Sequence, residues 1–199
     1  SNVISKNFMT VSSHHIASSV GIEILKNGGN AVDAAIAMSA VLCVAEPHMT
    51  GIGGDCFAML SIDGSSNIKA LNASGKSSEN ASANYLRKKG IKLIKPEMPD
   101  AITIPGAVAG WSLLHQEHGY MPWNEIFRPA INYAKSGIIV HERVAYDWAK
   151  NTEKLLADRD TSKTFLNNQK PFNITENFKN IKLSKTFETI AKEGSEGFY

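Results

Sequence analysis

The chain has 199 residues, of which 43% are hydrophobic and 20% are charged, and 21 basic residues against 19 acidic ones give a formal net charge of +2. The apolar content excludes a disordered chain, and the balanced charge gives no support for a nucleic-acid-binding protein. Two cysteines cannot build a disulfide framework. The most apolar stretch, 31–45, is interrupted by Asp33 and is too short to span a bilayer, so no membrane span is predicted.

The first predicted element is a helix between His14 and Asn27. Apolar side chains recur there at helical spacing. Ser12 or Ser13 is the expected N-cap, and Gly28-Gly29 supplies the left-handed residues that end the helix.

A second helix is predicted over Ala31–Ala45. Asn30 opens it, and Asp33 lies in the first turn, where a carboxylate interacts favourably with the helix dipole. Because this helix is apolar on all sides, we expect it to be packed on every side.

A β-hairpin is predicted next. Cys56–Ile62 is apolar at both alternating sets of positions, which indicates a strand buried between two layers. Asp63-Gly64 is a hairpin turn, and Ile68–Asn72 is the returning strand. Helices followed by a hairpin indicate an α+β or layered α/β fold.

The rest of the chain is predicted to be mainly helical. Five further helices are expected at Asn80–Lys89, Ala107–Glu117, Trp123–Lys135, 141–157 and Leu183–Glu193. Lys163–Asn180 is predicted to be a polar connection.

The histidines do not form a convincing metal-binding pattern. His14 and His15 are adjacent and should point in different directions on a helix. His115 and His118 share a helix face, but no third ligand accompanies them. We therefore predict no metal and no cofactor.

Two other chemical patterns are weak. Gly51-Ile52-Gly53-Gly54 follows a helix and precedes a strand, which is the reverse of a phosphate-binding loop. A dyad of Cys43 or Cys56 with His48 is conceivable, but both cysteines lie in apolar segments, where a thiol is usually a small buried hydrophobe.

Four segments in order resemble conserved blocks of the γ-glutamyltranspeptidase family. They are Gly28–Ala35 (GGNAVDAA), Glu46–Phe57, Pro105–Trp111 (PGAVAGW) and Glu193–Tyr199. Together they extend over essentially the whole chain.

The resemblance implies part of an α+β, four-layer αββα N-terminal-nucleophile hydrolase fold. Residues 1–199 would form one partial domain, the front part of the large subunit of a self-cleaving precursor. The nucleophilic threonine, activated by its own α-amine, would lie beyond this chain at the start of a small subunit. No threonine present here is therefore predicted to be catalytic, and the chain alone is expected to be inactive.

The resemblance also points to two candidate substrate-binding residues. The family has an Asp-x-Arg-Glu-x-Ala-Pro-like segment whose arginine binds the substrate α-carboxylate, and here that arginine falls on Ser74. Lys76 lies two residues further and would share the same face if the strand continued. Replacing a guanidinium by a hydroxyl removes a bidentate carboxylate contact. This departure resembles the acylase-like branch of the family.

Three functions therefore remain open. The whole protein would hydrolyse or transfer γ-glutamyl groups of glutathione-like substrates, act as an acylase on other amides such as glutaryl groups, or keep the scaffold for binding or assembly. Its expected partners are the small amide substrate, the remaining large-subunit portion and the small subunit. No signal peptide is visible, which favours the cytoplasm, whereas a removed leader would indicate a periplasmic or secreted protein.

Overall fold

The computed structural model describes residues 3–96 and 98–199, which form two compact units. The first unit contains the residues up to Gly51 and those from Leu114 to Tyr199, and the second contains Ile52–Leu113. No helix in the described ranges has the length and apolarity needed to cross a bilayer. That residues 1–199 make one partial domain stays a prediction.

The first unit is mainly helical. Its elements are α1 (His15–Lys26), α2 (Ala31–Ala45), α5 (Trp123–Ser136), β3 (Ile138–Ile139), α6 (Glu142–Lys150), α7 (Thr152–Leu156), α8 (Arg159–Phe165), β4 (Asn177–Phe178) and α9 (Ile181–Glu193). The second unit contains β1 (Cys56–Ser61), β2 (Ile68–Ala73), α3 (Ala83–Lys88) and the first part of α4 (Ala107–His118), whose last residues belong to the first unit.

Helix α1 begins differently from the prediction. Its N-cap is His14, whose Nδ1 accepts a hydrogen bond from the amide of Ile16 at 3.3 Å. Ser12 instead donates its hydroxyl to the carbonyl of His14 at 2.8 Å, so neither serine is the cap. The predicted end of the helix is confirmed, because Gly28 has a φ of +93°, which favours glycine.

Helix α2 begins with the capping box that the sequence predicts. The side chain of Asn30 accepts from the amides of Val32 and Asp33, and Asp33 accepts from the amide of Asn30. The expectation of packing on every side is wrong, however. Ala31 and Ala35 are exposed, because no described element covers that stripe of the helix.

The carboxylate of Asp33 also holds a distant turn. It is fully buried, and it accepts hydrogen bonds from the amides of Tyr120 and Met121 at 3.1 Å. The side chain of Asn30 donates to the carbonyl of His118 at 2.6 Å. The first turn of α2 therefore binds the chain where it leaves α4.

The core of the first unit lies between four helices. Helix α1 packs on α2, and α5 packs on both α2 and α9. Large fully buried side chains fill the space, among them Ile36 of α2, Phe127 of α5 and Phe187 of α9. The indole nitrogen of Trp123 donates to the carbonyl of Ile190 at 2.8 Å, which joins α5 to the end of α9.

A second apolar cluster in the same unit corrects two predictions. Strands β3 and β4 pair antiparallel, and the ring of Phe178 packs edge-on against Trp148. The predicted helix 141–157 is divided at Asn151 into α6 and α7. The predicted connection 163–180 contains β4 and the end of α8, because Phe165, Phe172 and Phe178 are apolar residues that pack in this cluster.

In the second unit, β1 and β2 form the predicted antiparallel hairpin, in which Cys56 pairs with Ala73 and Ser61 with Ile68. The prediction that β1 is buried on both faces is wrong for the described residues. Phe57 and Met59 are 67% and 78% exposed, because only the opposite face of the hairpin is covered.

We expect Asp33→Asn to lower the free energy of unfolding by about 2–4 kcal/mol, since an amide group would face backbone donors and leave some without an acceptor. Asp160→Asn is the control, because Asp160 also lies in the first turn of a helix but is exposed. It should change the free energy by less than about 0.5 kcal/mol. Urea unfolding measures both variants, and equal losses would contradict the role given to Asp33.

Candidate functional site

The two sequence-predicted site residues flank Gly75 just after β2. Both Ser74 and Lys76 are exposed, whereas Gly75 is half-buried. The amide of Gly75 donates to Oδ1 of Asp55 at 3.0 Å, and the amide of Ile104 donates to the carbonyl of Lys76 at 2.9 Å. The backbone of this short segment is therefore fixed on both sides, and the side chains of the two predicted site residues are left accessible.

Close backbone contacts explain the glycines of this segment. A Cβ on Gly75 would lie 1.6 Å from the carbonyl oxygen of Ile104, and one on Gly106 would lie 2.0 Å from that of Ala73. The carbonyl of Gly54 accepts from the amides of Gly106 and Ala107 at 2.9 and 3.0 Å. The predicted glycine turn thus supplies an acceptor at the start of α4.

The side chains of Ser74 and Lys76 can each make only a simple polar contact with a ligand. The amide of Ser74 donates to Oδ1 of Asn72 at 2.9 Å, which orients the backbone at that residue. A hydroxyl at position 74 can make a neutral hydrogen bond, and an ammonium at position 76 can contact an anion at a single point. Neither group reproduces the two parallel hydrogen bonds of a guanidinium to a carboxylate.

The structure brings together three histidines that the sequence did not connect. The rings of His14 and His15 stack with centroids 4.8 Å apart, and the ring of His141 lies 5.0 Å from the first and 4.5 Å from the second. The prediction that His14 and His15 point in different directions is therefore wrong. His14 is the N-cap, with extended φ and ψ of −126° and 126°, so helical spacing does not apply to it.

The environment of His14 favours a neutral ring. Burial, followed by the neighbouring His15 and His141, lowers the pKa of His14, while the carboxylate of Glu46 acts in the opposite direction. The hydroxyl of Ser13 hydrogen-bonds to Oε2 of Glu46 and holds this carboxylate nearby.

The other predicted histidine pair does not form a joint site. Nε2 of His115 lies 2.8 Å from the carbonyl oxygen of Met121, and His118 is paired with Glu117 at 3.4 Å. Each ring is thus engaged separately, His115 by a carbonyl six residues further along the chain and His118 by the residue before it.

The structure also gives no support for a cysteine–histidine dyad. Burial raises the pKa of the Cys43 thiol to about 12, and its Sγ donates to the carbonyl of Ser39. Burial likewise raises the pKa of Cys56. Nε2 of His48 lies 3.3 Å from Oδ2 of Asp147. These thiols are therefore uncharged near neutral pH.

Comparison with known proteins decides the family. Residues 17–199 match the family described as Gamma-glutamyltranspeptidase. The chain belongs to the γ-glutamyltranspeptidase family. It is 35% identical over 198 residues to the glutathione hydrolase-like YwrD proenzyme of Bacillus subtilis, a match that covers 100% of this chain and 38% of that protein.

Solved structures confirm the predicted fold class. The crystal structure of the Helicobacter pylori γ-glutamyltranspeptidase superposes with a TM-score of 0.92 at 28% identity, covering 100% of this chain and 58% of that one. The cephalosporin acylase of Bacillus halodurans gives a TM-score of 0.87 at 28% identity, with 100% and 40% covered. The described residues therefore form a mixed helix and strand part of the N-terminal-nucleophile hydrolase fold. The chain spans less than two thirds of the length of each of these relatives.

We expect Gly75→Ala to lower the free energy of unfolding by about 1–3 kcal/mol, because the added methyl group overlaps the Ile104 carbonyl. Gly53→Ala is the matched control, since a Cβ there meets no atom within 4 Å. Denaturant unfolding of both variants tests this. If both variants lower the free energy of unfolding by the same amount, the close approach of Gly75 to the Ile104 carbonyl does not explain the need for glycine at position 75.

Proposed function

We propose that this chain forms the front part of the large subunit of an enzyme that hydrolyses or transfers γ-glutamyl or related acyl amides. The observation that carries the proposal is the family match over residues 17–199. It is supported by similarity to proteins named as a glutathione hydrolase-like proenzyme and as a cephalosporin acylase.

In this proposal the nucleophile is the N-terminal threonine of a small subunit that lies beyond this chain. The α-amine of that threonine would take the hydroxyl proton during attack on the amide carbonyl, giving an acyl-enzyme that water or an amino acid then resolves. The present residues would contribute scaffold and substrate contacts, with the rest of the large subunit and the small subunit as partners.

The serine at position 74 indicates which class of amide substrate the enzyme would prefer. A donor with an α-carboxylate would meet the Ser74 hydroxyl where the family resemblance places a guanidinium. A charge-assisted bidentate pair exceeds a neutral hydrogen bond by about 1–3 kcal/mol, which is about 5- to 150-fold in specificity. We therefore infer an acylase-like preference for amides without that carboxylate, such as 4-aminobutyryl amides.

Lys76 supports a second candidate, ordinary glutathione hydrolysis. Its side chain is exposed on the same fixed segment as Ser74, so an ammonium is available for one contact with an α-carboxylate. The two candidates make opposite predictions about which donor is preferred.

We expect the 199-residue chain by itself to show no turnover of γ-glutamyl-p-nitroanilide, because activated-nucleophile catalysis needs the threonine placed outside it. The release of p-nitroaniline measures this, with the protein prepared from a host that lacks its own enzyme of this family. Turnover by such a sample would place the nucleophile within these residues and contradict the proposal.

For the whole protein, we expect kcat/KM to be higher for a 4-aminobutyryl anilide, which lacks the α-carboxylate, than for the matching γ-glutamyl anilide. Ser74→Arg should shift this ratio towards the γ-glutamyl substrate by about 5-fold or more, because it restores a bidentate partner for the α-carboxylate. Kinetics on the two anilides, which differ only in the α-carboxylate, measures the effect.

Two further variants separate the alternatives. Ser66→Arg adds the same charge at an exposed serine of the hairpin loop and should leave the ratio unchanged. Lys76→Gln should selectively lower kcat/KM for the γ-glutamyl substrate if the lysine binds the carboxylate. A wild-type preference for the γ-glutamyl substrate that Ser74→Arg does not alter would overturn the acylase assignment.

A further inference from the structure

The strongest cluster of chemistry outside the proposed substrate segment is formed by three imidazoles. His14 and His15 stand at the start of α1, and His141 is the N-cap of α6. One ring nitrogen from each histidine lies within 4.8 Å of a ring nitrogen of both others. Three nitrogen donors therefore converge although they come from two distant parts of the sequence.

His14 is the buried member of this cluster. Its side chain is almost completely buried, with the residue 4% exposed. Its Nδ1 accepts a hydrogen bond from the amide of Ile16, whereas the buried Nε2 has no hydrogen-bond partner among the described residues. A buried polar atom without a partner is costly and calls for an explanation such as a bound ion.

The distances fit a metal ion after a small adjustment. Tetrahedral coordination with metal–nitrogen bonds of about 2.0–2.1 Å places the ligand nitrogens about 3.4 Å apart. His15 and His141 are exposed, so a change of rotamer at these two positions can close the remaining gap. Water would complete the coordination.

The local charge is also compatible with a cation. The N-termini of α1 and α6 carry partial positive charge, which disfavours a metal ion. The carboxylate of Glu46 opposes this effect, because it is close enough to act electrostatically on His14 and is held by the hydroxyl of Ser13.

We propose that His14, His15 and His141 bind a divalent transition-metal ion that prefers nitrogen ligands, with Zn²⁺ as the best representative. The ion takes the lone pair of Nε2 of His14, and the proton of that neutral ring moves to Nδ1, where the long 3.3 Å contact with Ile16 is given up. The bound ion joins the start of α1 to the start of α6 and stabilises this part of the first unit.

The experiment uses the intact protein without an affinity tag, freed of metal by a chelator. Co²⁺ is titrated while its visible d–d absorption is recorded, Zn²⁺ is then added as a competitor, and thermal unfolding is measured with and without Zn²⁺. We expect one saturable Co²⁺ site that Zn²⁺ displaces, and a higher unfolding temperature with Zn²⁺. Mg²⁺, which prefers oxygen ligands, should do neither.

The variants identify the ligands. His15→Gln and His141→Gln should each weaken Co²⁺ binding by about 10-fold or more. Because both side chains are exposed, these variants keep the proposal testable even if His14→Gln fails to fold. His118→Gln removes an imidazole elsewhere and should leave binding unchanged. Absence of a saturable site, or an equal loss in His118→Gln and His141→Gln, would overturn the proposal.

Discussion

The buried carboxylate of Asp33 is the interaction on which the first unit depends. It accepts hydrogen bonds from the backbone amide of Asn30, at the start of its own helix, and from those of Tyr120 and Met121. The last two residues lie 87 and 88 positions after Asp33. A buried carboxylate without donors would be strongly destabilising, so the chain leaving α4 has to approach α2. Helix α5 begins at Trp123, immediately after this turn, and packs on α2 and α9. One side chain thus ties the turn before α5 to the start of α2.

The second unit is held together by close backbone contacts at positions where only glycine leaves enough room. Gly75 and Gly106 allow the segment after β2 to lie against the chain that leads into α4, and Gly54 supplies the carbonyl for the first amides of that helix. The accessible side chains of Ser74 and Lys76 take no part in these backbone hydrogen bonds. A change of residue at position 74 therefore alters the available chemistry while the backbone that presents it stays in place.

Much of this structure could be predicted from local patterns. The capping box of Asn30 and Asp33, the glycine after α1 and the β1–β2 hairpin depend on short-range geometry, and the structure has each of them. Burial was less predictable, because Phe57 and Met59 form an apolar pattern although their face is uncovered in the described residues. The strand pair β3–β4 was missed because two-residue strands have no readable periodicity. The candidate substrate residues came from family resemblance, since an exposed serine and lysine carry no signal of their own.

The histidine cluster shows why periodicity fails at helix ends. Rules for which side chains share a face assume helical φ and ψ, and an N-cap residue has extended values. His14 and His141 are both N-caps, with φ of −126° and −82° and ψ of 126° and 158°. Where two helix N-termini meet, their caps and first residues can therefore converge on one point regardless of the helical spacing. Only the three-dimensional structure, in which the start of α1 lies next to the start of α6, reveals this convergence, because nothing in either local sequence specifies the other helix.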